Sequence, residues 1–248
     1  MITRIISGII GIGIAGYVIQ TGGTTFTVAA AVLAALAWFE YTRAFSRRGG
    51  SPALFSGILG IGGMLYGAFI GQESVILLSM IASSILALMT CVLLRGDVSV
   101  HDATVSVAGI CYIGMPFALL ILLRNMTGLV YTTPIESFSC GTAMVWVMFI
   151  GTWASDSFAY FAGRAFGSHK LAPAISPNKT IEGFFGGLIG TIAVVVGLGW
   201  LLAMPLPQMA ALGAAIAVLG TLGDLVESMM KRQTGIKDSG AIIPGHGD

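Results

Sequence analysis

The sequence predicts an all-α membrane protein, a polytopic helical bundle in which about eight helices cross the bilayer. Of the 248 residues, 56% are hydrophobic and only 9% are charged, whereas soluble globular domains carry about 25% charged residues. The mean hydropathy is +0.92. Apolar runs recur along the whole chain, and most reach the roughly 20 residues that a spanning helix needs. Most of the outer surface is therefore expected to face lipid.

Eight apolar runs are candidate spans. Lipid offers no partner to open backbone groups, which favours helices, and the runs are too long and continuous for barrel strands. The first run follows Arg4 in the manner of a signal peptide, but comparable runs keep following, so we interpret it as the first span. The predicted spans are about 5–20, 24–40, 53–71, 74–94, 104–123, 138–160, 183–203 and 208–226.

The basic residues predict the orientation. With the N-terminus inside, eleven of the twelve Lys and Arg residues fall on the cytoplasmic side and only Arg124 falls outside, as the positive-inside rule requires. An error of one span would divide them between the two sides. We expect both termini in the cytoplasm and one integral-membrane domain over 1–248, with N-terminal spans in 1–137 and the functional part in 138–248.

Several features exclude other classes of protein. The run Gly11–Gly16 fits G-x-G-x-x-G, but it lies inside an apolar span with no strand before it, so we predict close helix packing instead of dinucleotide binding. Gly183/Gly187 and Gly186/Gly190 form small-x-x-x-small pairs, which also predict close helix packing. The three cysteines indicate neither a disulfide framework nor a zinc site. A net charge of +1 gives no sign of nucleic-acid binding, and we expect none.

A first polar constellation begins inside the sixth predicted span. An ionisable side chain such as Asp156 costs about 2.5–3.5 kcal/mol at the centre of a spanning helix and less near the interface. Asp156, Tyr160 and Gly163 are spaced i, i+4 and i+7, so they share one helix face. The aspartate is either a structural partner for another helix or an acidic group in a polar cavity. We favour the cavity.

The polar segment 171–183 follows. Ser176, Asn178 or Thr180 is placed to cap the next helix, which puts Lys179 and Thr180 at its positive end. Backbone N–H groups, the helix dipole and an ammonium together suit a phosphate. The alternative is a plain cap beside a solvated lysine. We predict anion binding.

A second constellation lies at the end of the last predicted span. Asp224, Glu227, Ser228 and Lys231 are spaced i, i+3, i+4 and i+7 and form a polar stripe. Two carboxylates one turn apart can hold Mg²⁺, which usually takes one or two carboxylates plus substrate phosphates, and Lys231 and Arg232 can meet phosphate charge. The alternative is ion pairing along an exposed helix end.

The last residues continue this pattern. Lys237 and Asp238 precede a glycine, and His246 stands between two glycines. Glycine permits close backbone approach to a ligand, and histidine is a titratable donor. A lone histidine here would be a loop residue, but beside two lysines, an arginine and several acids it favours a site.

Together these residues resemble the phosphatidate cytidylyltransferase (CDP-diacylglycerol synthase) family. The signature S-x-x-K-R-x(4)-K-D-x-G-x(3)-P-G-H-G is matched from Ser228 to Gly247, and the stretches D-S-x-A-Y-x-x-G-R from Asp156 and I-S-P-x-K-T-x-E-G from Ile175 match too. The chain departs from the family where Asp248 replaces a second glycine and the following D-R pair and last span are absent. We expect either a shortened form or a degraded paralogue.

The resemblance implies the reaction of CTP with phosphatidate to give CDP-diacylglycerol and pyrophosphate at the cytoplasmic face of a bacterial inner membrane. It implies Mg²⁺ as a cofactor. A monovalent cation such as K⁺ and a homodimer are further expectations. The implied metal ligands are Asp224, Glu227 and Asp238. The implied catalytic residues are Asp156, Lys179, Glu182, Asp224, Lys231, Arg232, Lys237, Asp238 and His246. The implied phosphate-binding residues are Arg164, Ser176, Lys179, Thr180, Lys231, Arg232 and Lys237.

Two other functions are compatible with parts of the pattern. A relative that acts on an isoprenoid or archaeal lipid would share the chemistry and differ in the lipid. An ion-coupled transporter would use Asp156, Glu182 and Asp224 as an ion relay, and it predicts charges near the midplane and an inverted repeat. The sequence shows neither of these transporter features.

Overall fold

The structure, a computed structural model, describes residues 2–46, 49–94, 98–132 and 137–235. Helices dominate it, and they correspond to the eight predicted spans. They are α1 (Ile2–Thr21), α2 (Gly23–Ser46), α3 (Leu54–Phe69), α4 (Glu73–Leu93), α5 (Val100–Gly109), a π-turn (Ile110–Gly114), α6 (Met115–Arg124), α7 (Cys140–Phe166), α8 (Ile181–Leu201) and α9 (Leu206–Thr234).

The predicted fold class is confirmed. In the described part of the chain, five helical segments are long and apolar enough to cross a membrane: α2, α4, Val100–Arg124, α8 and α9. Shorter apolar stretches occupy Ile10–Thr21 and Leu54–Phe69. Two short antiparallel hairpins lie between helices: β1 (Val130–Thr132) with β2 (Ser137–Ser139), and β3 (Lys170–Ala172) with β4 (Ser176–Thr180).

The helices form two compact units that divide near residue 127. The first contains α1 to α6 and the second contains most of α7 to α9 with the hairpins. The expected single membrane domain over 1–248 stays a prediction.

Trp38 is a buried side chain at the packing contact between α2 and α3 in the first unit. Its side chain is 2% exposed, and its indole N–H donates to the Leu54 carbonyl at 3.1 Å. A Cβ on Gly57 would lie 1.9 Å from the indole, so α3 can approach α2 only with glycine there. By contrast, a Cβ on Gly11 or Gly13 would meet no atom within 4 Å, so the close packing predicted for those glycines is wrong within the described chain.

Two further features of the first unit, the π-turn and the contacts of Arg124, follow from unpaired backbone groups. The π-turn immediately precedes the start of α6, where Pro116 has no N–H to offer to the carbonyl four residues earlier. Arg124, the single basic residue predicted outside, donates to the carbonyls of Ile19 at 2.7 Å and Gln20 at 3.1 Å. It thereby satisfies carbonyls at the C-terminus of α1, which have no partner within that helix.

The second unit is organised by glycines on α8. A Cβ on Gly186 would lie 2.2 Å from the Ala162 Cβ, and one on Gly187 would lie 3.1 Å from the Ala159 Cβ, so α7 and α8 touch through nearly bare backbone. Beyond this contact lies a small apolar core. It consists of Ala143, Val147, Val195, Leu202, Met204 and Met209. The predicted small-residue packing of α8 is therefore observed.

The glycine contact gives a first testable prediction. Gly186→Ala places a methyl group against a rigid helix, and overpacking of this kind typically costs 1–3 kcal/mol. We expect a lower thermal unfolding temperature for the protein in detergent. Gly197→Ala is the matched control, because a Cβ at that position of the same helix meets nothing within 4 Å. Equal behaviour of the two variants would contradict the proposed packing.

Candidate active site

An open cavity of about 610 Å³ lies in the second unit, where α7, β4, α8 and α9 meet. Its wall combines glycine and aromatic surface with charged and hydroxyl side chains. The functional groups on the wall are Ser155, Asp156, Tyr160, Arg164, Asn178, Lys179, Thr180, Thr221 and Asp224. Five of the ten predicted site residues that the structure describes therefore line the cavity: Asp156, Arg164, Lys179, Thr180 and Asp224.

Helix α7 contributes the acidic side chain Asp156 and the basic side chain Arg164. Asp156, Tyr160 and Gly163 all line the cavity, as expected for one helix face. The helix continues to Phe166, six residues beyond the predicted span end, so Arg164 lies on the helix and not in a loop. Its guanidinium donates to the Tyr160 hydroxyl at 2.9 Å. The extension places a cation one turn beyond that hydroxyl.

Lys179 and Asp224 form an ion pair across the cavity. Lys179 stands on β4, directly before the cap of α8, and Asp224 lies on α9. The lysine side chain is 25% exposed and the aspartate 54%. Asp156 is within electrostatic range of both. The predicted convergence of Asp156, Lys179 and Asp224 is therefore found in the structure.

Thr180 is the N-cap of α8, and its hydroxyl accepts from the Gly183 N–H at 3.1 Å. The Ile181 N–H donates to the His169 carbonyl at 2.9 Å. Capping by Thr180, one of the three predicted candidates, is therefore observed, and these two N–H groups already have acceptors within the protein. Anion binding by the segment stays a prediction. What remains for an anion is the helix dipole together with the Lys179 and Arg164 side chains.

Glu182 and Ser176 do not line the cavity. The Glu182 carboxylate accepts from the N–H groups of Ser168 at 3.1 Å and His169 at 3.2 Å, and it contacts the His169 Nδ1 at 2.6 Å. Ser176 pairs with Ala172 in the hairpin ladder. The structure therefore places Glu182, an implied catalytic residue, outside the cavity wall, where its carboxylate fixes the segment that leads into β3.

The polar stripe predicted on α9 has one member on the cavity wall, Asp224, among the described residues, and the members after it have other partners. Glu227 pairs with Lys231 at 2.8 Å along the helix, which is the alternative that we had set against metal binding. Arg232 donates through its Nε to the Ile175 carbonyl in the β3–β4 turn. None of the three lines the cavity, and the described residues contain no cluster of three or more His, Cys, Asp or Glu side chains that could hold a metal. Arg232 thus holds the hairpin that carries Lys179.

Lys237, Asp238 and His246 lie outside the described residues. Their expected roles stay predictions. Of the metal ligands that the family resemblance implies, Asp224 lines the cavity among the described residues. Asp156 provides a second carboxylate on the same wall.

Sequence reasoning missed two hydroxyl side chains of the cavity, Ser155 and Thr221. Thr221 lies three residues before Asp224, so the helical spacing that linked Asp224 to Glu227 would have found it in the other direction. Ser155 is buried. Its position next to Asp156 gives no such signal, because adjacent residues on a helix point in different directions.

The fold and the cavity define a helical membrane protein with a charged site between α7 and α9, beside the start of α8. The Cytidylyltransferase family model matches residues 2–248, and the chain belongs to that family of enzymes. It is 36% identical to the phosphatidate cytidylyltransferase of Staphylococcus haemolyticus over 251 residues, which covers 100% of this chain and 91% of that protein. The resemblance found in the sequence is therefore confirmed, and family membership favours the enzyme over the transporter.

Two further relatives carry the same name. The Staphylococcus aureus protein is 37% identical over 171 residues, and the Staphylococcus epidermidis protein is 38% identical over 170 residues. Each of these matches covers 68% of this chain and 60% of the relative, which is less than two thirds of the relative's length.

The role of Glu182 is testable. Glu182→Ala removes the acceptor for the Ser168 and His169 N–H groups, so we expect faster hydrogen exchange at these two amides and earlier proteolysis of the segment before β3. Glu227→Ala is the control, because it removes a carboxylate that contacts Lys231 on its own helix. Unchanged exchange in Glu182→Ala would contradict the assignment.

Proposed function

We propose that this protein transfers the cytidylyl group of CTP to phosphatidate and releases pyrophosphate, at the cytoplasmic face of a bacterial inner membrane. The observation that carries the proposal is the meeting of Asp156, Arg164, Lys179 and Asp224 in one cavity between α7, β4, α8 and α9. The relatives at 36–38% identity that bear the name of this activity support the same conclusion.

The position of the cavity suits one lipid substrate and one soluble substrate. A phosphatidate headgroup stays at the membrane interface, while a nucleotide arrives from the water phase. A charged, open cavity beside the start of α8 can meet both. The distribution of basic residues along the chain supports a cytoplasmic opening.

The described cavity residues fit a magnesium ion. Mg²⁺ keeps several waters and is usually held by one or two carboxylates plus substrate phosphates, and Asp156 and Asp224 provide two carboxylates in the same cavity. When bound, the ion supplies positive charge that offsets phosphate oxygens. Asp238 as a third ligand, K⁺ as an additional ion and a homodimer are part of the proposal and need separate tests.

The chain's own residues position the two substrates. A phosphate oxygen of phosphatidate attacks the α-phosphorus of CTP, and the bond to the β,γ-pyrophosphate breaks, so no protein nucleophile is needed. Lys179 and Arg164 are placed to form charge-assisted hydrogen bonds with phosphate oxygens, and α8 directs its positive end at the same space. Positioning and charge stabilisation then account for the catalysis. Arg232 contributes indirectly by holding the hairpin.

The metal role of Asp224 gives a test by activity. In membranes that contain the full chain, Asp224→Asn should reduce formation of labelled lipid from labelled CTP, Mg²⁺ and phosphatidate by about 100-fold or more. Glu73→Gln, an acid-to-amide change at the start of α4, is the control and should keep wild-type turnover. Normal turnover in Asp224→Asn would remove the metal assignment. Labelling only with an isoprenoid phosphate would favour the other lipid class.

The orientation gives a separate test by chemical labelling. Starting from a variant without cysteines, Thr127→Cys should react with a membrane-impermeant maleimide on intact spheroplasts, and Ser168→Cys should react only after lysis. Both positions are in connections between helices, and an odd number of predicted spans lies between them. The opposite pattern would invert the proposed topology.

A further inference from the structure

The Lys179–Asp224 ion pair uses the same carboxylate that the proposed function assigns to Mg²⁺. The ammonium takes one of the two carboxylate oxygens, and a divalent cation bound to the same carboxylate would repel it, because the two positive charges would lie only a few ångströms apart. The pair is also accessible, since the lysine side chain is 25% exposed and the aspartate 54%. Solvent-accessible pairs of this kind contribute little to stability, so a competing cation can displace the lysine.

The charges that line the cavity also favour displacement of Lys179 from Asp224 by a metal ion. Among the residues that the structure describes, the charged side chains on the cavity wall are two carboxylates, Asp156 and Asp224, and two cations, Arg164 and Lys179. The formal charges of these four cancel, so they supply no excess positive charge with which to attract a triphosphate. A divalent cation at Asp224 changes this balance and also leaves the Lys179 ammonium without its partner.

We propose that Lys179 exchanges partners during the catalytic cycle: it occupies Asp224 before the metal arrives and moves to a phosphate oxygen of the nucleotide when the metal binds. This inference rests on the proposed function and adds to it an order in which Lys179 changes its binding partner. Lys179 lowers the affinity for metal alone, and once displaced it raises the affinity for the metal-bound nucleotide. Metal and nucleotide then enter together instead of separately.

The local structure allows this exchange without a change of fold. The backbone is held before and after Lys179, because Ser176 pairs with Ala172 in the hairpin, and Thr180 pairs with Lys170 and caps α8. Only the four-carbon side chain has to move, and lysine is a flexible cation with three rotatable donors. Arg164 differs, because its guanidinium donates to the Tyr160 hydroxyl, and within the described residues it forms no ion pair with a carboxylate.

The test measures Mn²⁺ binding to the purified full chain in detergent, without substrates, from the electron paramagnetic resonance signal of free Mn²⁺. Lys179→Met should bind Mn²⁺ about three- to fivefold more tightly than wild type, the factor that corresponds to breaking a weak exposed pair. At saturating Mn²⁺, the same variant should bind CTP more weakly. A purely structural role for Lys179 would weaken both, and that result would overturn the proposal.

Two control variants separate the exchange from other effects. Arg164→Gln removes a positive charge from the same cavity without breaking an ion pair, so equal tightening of Mn²⁺ binding in both variants would overturn the exchange in favour of general electrostatics. Lys179→Arg keeps the charge and should restore wild-type Mn²⁺ affinity. Unchanged Mn²⁺ affinity in Lys179→Met refutes the exchange alone, whereas a wild-type chain that binds no Mn²⁺ refutes the metal role in the proposed function.

Discussion

The close approach of α7 and α8 is the constraint on which the rest of the site depends. Gly183, Gly186 and Gly187 let the two helices meet through backbone and alanine atoms. The contact continues to the start of α8, where a Cβ on Gly163 would lie 3.0 Å from the Thr180 hydroxyl. Asp156 and Lys179 share a cavity because this contact holds their elements together. A larger side chain on this face would separate an acid and a base that are of use only side by side.

The same contact explains how ionic groups can occupy the ends of apolar helices. A charge in a spanning segment is costly unless it has a partner or reaches water. In this cavity each cation has a bound partner, Asp224 for Lys179 and the Tyr160 hydroxyl for Arg164, and the cavity is open to solvent. The ionic groups are thus stabilised locally, and the stabilising partners can be replaced by a ligand of matching charge.

Much of this arrangement could be predicted from sequence because it follows helical periodicity. The spacing of Asp156, Tyr160 and Gly163 placed them on one face, and the glycine pairs of α8 predicted its contact with a neighbour. Periodicity failed where a side chain had a choice of partners. Glu227 and Lys231 bind each other, although the same spacing also suited a metal, and nothing in the sequence decides between the two. Gly11 and Gly13 fitted a packing pattern, but packing also needs a neighbouring surface.

The hairpin was the element least visible in the sequence, and it determines how the site is built. The segment 171–183 was predicted as a capping loop whose backbone would hold a phosphate. Its strands instead use the Ile181 N–H within the protein, Thr180 uses the Gly183 N–H, and Glu182 fixes the approach. With those two N–H groups occupied, the Lys179 and Arg164 side chains are cationic groups on the cavity wall that can bind an anion. Side chains can change partners whereas a hydrogen-bonded backbone cannot, so the same hairpin that removes a rigid phosphate cradle supplies a mobile ammonium in its place.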